Sequence, residues 1–181
     1  HNFGTEMEDD SFTQFEEALE KAIAEKVDFI LLPGDIFDVR IPRQEVWAKV
    51  LSLFQKPLLA EKSGIVLVKT INKENDFSPK IFDGIPVIAI HGTHERRGEG
   101  FVNPIHILEK GGFLIHLHTS GVILEKGNER IAVHGLSGVP EEYVREVLEK
   151  WSPKPVSGCK NVFVFHQSLK ECIYDENDTF M

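Results

Sequence analysis

Three short polar runs carry residue types that bind cations or move protons: Gly34-Asp35-Ile36-Phe37-Asp38, Gly92-Thr93-His94-Glu95 and His166-Gln167. Each follows an apolar run: Phe29 to Leu32, Ile85 to Ile90 and Val162 to Phe165 respectively. Carboxylate and imidazole are good ligands for manganese, iron or zinc, and one carboxylate with two oxygens can bridge two ions. Together the three runs would make a shared metal site. Taken singly each has a plainer reading, with Asp35 as a turn residue after glycine, His94-Glu95 as a solvated loop and His166 as a core histidine bonded to backbone. Their common position, at the carboxyl end of an apolar strand, favours the joint reading, because ligands bind along that edge of open α/β sheets.

The intervening sequence predicts the elements that must hold these runs. Phe12, Phe15, Leu19, Ala22 and Ile23 recur at helical spacing behind the capping candidates Asp10 and Ser11, which predicts an amphipathic helix over 12–25. Phe29 to Leu32 reads as a buried strand stopped by Pro33-Gly34, and Pro42 as the opening of a helix whose apolar face runs from Val46 to Pro57. Gly64 to Ile71 is a predicted strand, Asn72 to Gly84 a polar loop and Ile85 to Ile90 a buried strand. A short helix is expected over Pro104 to Lys110, a strand over Phe113 to His118, and a hairpin around Gly127-Asn128 that joins strands Gly121 to Leu124 and Arg130 to His134. Pro140 to Trp151 reads as helix and Val162 to Phe165 as a last buried strand. Helices alternating with short apolar strands imply a layered α/β fold, interrupted by one polar insertion over 61–84.

The totals narrow the class. The chain has 181 residues, 41% of them apolar, which suits one domain with one substantial core. A formal charge of −9 argues against a protein that wraps DNA electrostatically, so nucleic acid would be met through a local patch or bound cations. Cys159 and Cys172 lack the spacing of zinc knuckles or redox pairs, and neither a signal peptide nor a transmembrane run is visible. A reducing, cytoplasmic setting away from membranes is the expectation.

The run from Asp28 to Asp38, followed by Gly92-Thr93-His94-Glu95 and then Phe163-Val164-Phe165-His166-Gln167, resembles the successive motifs of the calcineurin-like metallophosphoesterases. Within them it is most similar to the DNA double-strand-break repair nucleases of archaea, eukaryotes and bacteria, and the first run with its preceding helix and Ile85 to Arg97 resemble archaeal members especially. The resemblance implies a metallophosphoesterase sandwich, central β-sheets flanked by helices, truncated at both ends, with 1–181 as one incomplete domain. It implies two divalent ions, manganese by family habit, and hydrolysis of a DNA phosphodiester. It also implies a coiled-coil ATPase partner of the SMC type and a homodimer.

Carried over by residue, the resemblance makes His1 a ligand of the first metal, from an opening Asp-x-His motif, and Asp35 the carboxylate bridging both metals. His166 becomes a ligand of the second metal and His94 the group that protonates or stabilises the leaving oxygen. Thr93 stands where the family has a metal-binding asparagine, which exchanges a carbonyl for a hydroxyl. Asp38 takes an auxiliary place near the substrate. The opening aspartate would precede His1 and a closing Gly-His-x-His would follow Met181, so the chain as written is expected to hold a fragment of the site.

His91, His106, His116, His118 and His134 match none of these motifs and read as structural or surface groups. His116 and His118 alternate with Leu117 on one strand face, which reads as solvated. Arg96 and Arg97, beside His94, read as a solvated basic pair with phosphate contact as the sharper option. Two rival functions share these motifs: a phosphoesterase for small or protein-bound esters, and a non-catalytic docking subunit of a repair complex.

Overall fold

A computed structural model of the chain describes residues 10–74, 77–98 and 100–169, so His1 and Cys172 lie outside the described residues. Among these there are four α-helices, α1 (Asp10–Ala24), α2 (Gln44–Leu59), α3 (Pro104–Lys110) and α4 (Glu141–Trp151). Seven strands accompany them: β1 (Ile30–Leu32), β2 (Val66–Ile71), β3 (Val87–Ala89), β4 (Ile115–His116), β5 (Ser120–Lys126), β6 (Glu129–Leu136) and β7 (Lys160–Phe165).

The strands form two sheets. The first is parallel, in the order β1-β3-β4, and the second runs β2-β5-β6-β7 with β6 and β7 parallel and the other pairs antiparallel. The unbroken apolar runs of the first sheet follow from its having both faces covered. Val87, Ala89, Ile30 and Leu32 face a cluster with Val46, Val50 and Phe54 of α2 and Ile105 and Leu108 of α3. Leu31, Ile88, Ile90 and Ile115 point the other way, into an inter-sheet core with Val122, Leu124 and Val133. Period-two alternation thus divides each strand between a helix layer and a second sheet.

Local chemistry explains several boundaries. Asn103 caps α3 by accepting a hydrogen bond from His106 N–H at 2.8 Å, and Pro104 opens the helix where its missing donor costs nothing. Gly127, at φ 60°, turns the β5–β6 hairpin. Helix α2 begins two residues beyond Pro42 and carries Pro57 inside its last turn. There the buried Pro57 offers its carbonyl to Ile85 N–H at 2.9 Å, which ties the helix end to the approach to β3.

The stretch read as a polar loop contains a 3₁₀ turn, Pro79–Asp83, capped by Ser78. Phe77 and Ile81 pack into the inter-sheet core, so two apolar residues among polar neighbours anchor it. β2 pairs with β5 and forms an edge of the second sheet.

Candidate metal centre

The carboxyl ends of β1, β3, β6 and β7 meet at one edge of the sandwich. His166 N–H bonds Leu136 O at 3.2 Å, and Gly138 N–H bonds His91 O at 2.8 Å, so the loops touch backbone to backbone. Glycine makes that contact possible. A Cβ on Gly92 would overlap the Asp35 carboxylate, and one on Gly34 would lie 2.8 Å from His166 Nδ1 and 2.9 Å from Gly92.

Asp35 leaves β1 in the left-handed region, at φ 53°. Aspartate tolerates this conformation better than most residues, and here it turns the carboxylate across the edge. Asp35 Oδ1 accepts His94 N–H at 3.1 Å, and Oδ2 lies 3.2 Å from His166 Nε2.

Glu95, fully buried, holds the two loops together. Its Oε2 accepts N–H bonds from Asp35 at 3.0 Å and Gly92 at 2.6 Å, and its Oε1 accepts one from Phe37 at 2.8 Å. Burial pushes the Glu95 carboxyl above its usual range, N–H donors of Gly92, Phe37 and Ile36 pull it back, and the Asp35 charge pushes it up again. The plain reading of His94-Glu95 as a solvated loop is corrected for Glu95, which is fully buried and has two of its three partners, Asp35 and Phe37, about sixty residues earlier in the chain.

Both site imidazoles are oriented through Nδ1. His166 Nδ1 lies 2.9 Å from Pro33 O and His94 Nδ1 lies 3.2 Å from Asp38 O. A carbonyl only accepts, so each Nδ1 carries a proton, and His166 turns its Nε2 to the Asp35 carboxylate. Asp38 therefore meets His94 through its carbonyl, while its carboxylate oxygen lies 3.9 Å from the same nitrogen.

Asp35 Oδ2 and His166 Nε2 have the chemistry and spacing of two donors to one divalent ion, since bonds of about 2.0–2.2 Å place neighbouring ligands roughly 3 Å apart. Among the described residues no group of three or more His, Cys, Asp and Glu gathers around a metal position. Thr93 is exposed and lines the same groove of about 830 Å³ as Asp35, His94, Arg96 and His166. His1, the other expected ligand, lies outside the described residues.

Residues that sequence reasoning missed support the edge from behind. Buried Ser137 accepts His91 N–H at 3.1 Å and donates to Leu117 O at 2.9 Å, which joins the ends of β3, β4 and β6. Only its place at the end of β6 hinted at this role. His116 is a correction: it is buried, because its strand face is the one covered by α3, whose Glu109 accepts His116 N–H at 2.7 Å. His116 Nε2 lies 2.9 Å from His91 Nδ1. Burial, then the charges of His118, Arg96 and His166, pull His91 down to about 3. Burial also holds His116 well below 6.5, with His91, Lys73, His118 and His106 adding to the effect. His118 is exposed, as expected.

Over residues 1–180 the sequence matches the family model for calcineurin-like phosphoesterases. The chain belongs to this family. Divalent metal use follows from that membership, and the Asp35–His166 pair of this phosphoesterase fits it. The double-strand break repair protein MRE11 of Rattus norvegicus is 29% identical over 185 residues, which cover 88% of this chain and 26% of the relative. The human protein of the same name is 30% identical with the same coverage. The DNA double-strand break repair protein Mre11 of Methanopyrus kandleri is 28% identical over 176 residues, 91% of this chain and 34% of the relative. The phosphoesterase chain thus spans about a quarter to a third of these curated relatives. Among the described residues no helix is long and apolar enough to cross a membrane.

Proposed function

We propose that this chain is the phosphoesterase part of a nuclease that hydrolyses DNA phosphodiesters during double-strand-break repair. The observation that carries the proposal is the meeting of Asp35, His94 and His166 in one groove, within a family whose relatives bear that repair name. In this reading Asp35 would be the carboxylate shared by two divalent ions, His1 would help hold the first, and His166 with the Thr93 position would help hold the second. Bound there, divalent cations supply an activated water at neutral pH and offset phosphate charge.

The protein's own groups set the geometry. Asp38 O accepts from His94 Nδ1–H, so His94 would act on the leaving oxygen through Nε2, passing on a proton that Nε2 has first taken up while Nδ1–H stays on the carbonyl. Pro33 O does the same for His166, leaving Nε2 as the ligand atom. Glu95 holds Asp35 and Gly92 in register, and the Asp38 side chain contacts substrate beside His94.

Manganese as the cation, a coiled-coil ATPase partner of the SMC type, a homodimer, a cytoplasmic setting and 61–84 as an insertion in a single domain complete the proposal. The deciding experiment is Asp35→Ala in the full-length protein, assayed for degradation of DNA ends and for bound manganese by calorimetric titration. Loss of activity and of much of the metal, with the circular dichroism spectrum unchanged, is expected. Normal turnover by the variant would overturn the reading.

A further inference from the structure

Two adjacent arginines leave the loop after β3, and the structure sends them in different directions. Arg97 places its guanidinium 5.0 Å from the Phe101 ring centroid, a stacking contact that ties the loop to itself. Arg96 lines the groove with Asp35, Thr93, His94 and His166. It is half-buried, and among the described residues no carboxylate pairs with it. The other described charged residues on the groove wall are the acids Asp35 and Glu141 and the histidines, so Arg96 is the one permanent cation among them.

We infer that Arg96 binds the non-bridging oxygens of the scissile phosphodiester and is the residue through which an acidic chain accepts an anionic substrate. This rests on the phosphoesterase reading above and adds to it a specific substrate contact. A net charge of −9 opposes approach of a polyanion, so affinity must come from local positive charge at the point of contact. A guanidinium suits that role because it stays protonated and offers paired N–H groups that match two phosphate oxygens. Its backbone anchor is also fixed. The preceding residue, Glu95, accepts N–H bonds from Asp35, Gly92 and Phe37, so the start of the Arg96 side chain keeps a set distance from Asp35 and His94. The side chain therefore meets a phosphate already aligned with the bridging carboxylate, and Arg97 is spent on Phe101.

The test uses the full-length protein with Arg96→Ala, Arg96→Lys and Arg97→Ala. Binding of a fluorescein-labelled single-stranded oligonucleotide is followed by anisotropy in EDTA over a range of salt, and hydrolysis of bis(4-nitrophenyl) phosphate is followed with manganese. Arg96→Ala should weaken oligonucleotide binding and raise KM by about 10-fold or more with a smaller change in kcat, and it should lower the salt slope by roughly 0.7, the value for one single-strand phosphate contact. Arg96→Lys should restore the salt slope but only part of the affinity, and Arg97→Ala should resemble the wild type. Wild-type binding, KM and slope in Arg96→Ala, or an equal loss in Arg97→Ala, would overturn the inference. If the wild-type protein hydrolyses no phosphodiester, the phosphoesterase reading fails, while the EDTA titration still decides whether Arg96 holds phosphate.

Discussion

Replacing Glu95 with alanine leaves three backbone N–H groups, those of Asp35, Gly92 and Phe37, without the carboxylate that accepts them at 3.0, 2.6 and 2.8 Å. A buried donor deprived of its partner costs about 1–3 kcal/mol, so three set an upper range of roughly 3–9 kcal/mol, less whatever water entering the space recovers. Glutamine separates the contributions. Its single oxygen can replace Oε2, which accepts two of the bonds, but its amide nitrogen then faces Phe37 N–H, donor against donor. One lost bond and two weakened ones amount to about 3–5 kcal/mol. Removal of a buried charge offsets part of this, because burial already disfavours the ionised form. The expected loss is therefore about 2–4 kcal/mol for Glu95→Gln and a larger one for Glu95→Ala. Urea unfolding followed by fluorescence of Trp47 and Trp151 measures the loss, and hydrogen exchange at Asp35, Phe37 and Gly92 locates it. If Glu95→Ala unfolds within about 0.5 kcal/mol of the wild type and keeps protection at those three amides, the carboxylate does not hold the loops.

Three further outcomes follow from the same geometry. His94→Ala should keep bound metal yet lose roughly 10²–10⁴-fold in turnover, the range for a positioned acid or base, and loss of the metal would show that it is a ligand instead. Gly92→Ala should displace the Asp35 carboxylate and lower both metal affinity and activity, whereas an unimpaired variant would refute the close approach of these loops. His91 and His116 have folded pKa values depressed below 6.5, so the unfolded chain takes up protons that the fold refuses, and stability present above pH 6.5 is lost as pH falls toward the folded values. Each contributes a slope of up to about 1.4 kcal/mol per pH unit, and His116→Gln should flatten the pH dependence between pH 6.5 and 5 by about that amount in urea titrations; an unchanged slope would contradict it.

Much of the chemistry was legible in the sequence because it is local. Leu32 ends an apolar run, Pro33-Gly34 stops it, and the next residue is an aspartate; the same grammar marks Gly92 to Glu95 and His166. A strand buried on both faces needs unbroken apolar residues and its end needs a loop, so sequence fixes where these polar groups leave the sheet. Their resemblance to the phosphoesterase motifs then named the family that the comparison shows.

Tertiary structure alone decided what each of those groups touches. Glu95 sits in the sequence as an acid in a polar loop, and no periodicity reveals that three N–H donors from two loops close around it. Alternation placed His116 and His118 on one strand face but could not say that α3 covers the first and leaves the second in solvent. Arg96 and Arg97 are equivalent as neighbours in the chain, and Phe101 separates them only after the loop has folded. The reason is common to all three. Spacing along a chain determines which side chains share a face, whereas burial, partner and direction depend on elements that arrive from far away in sequence, and their positions are set by packing of the whole sandwich.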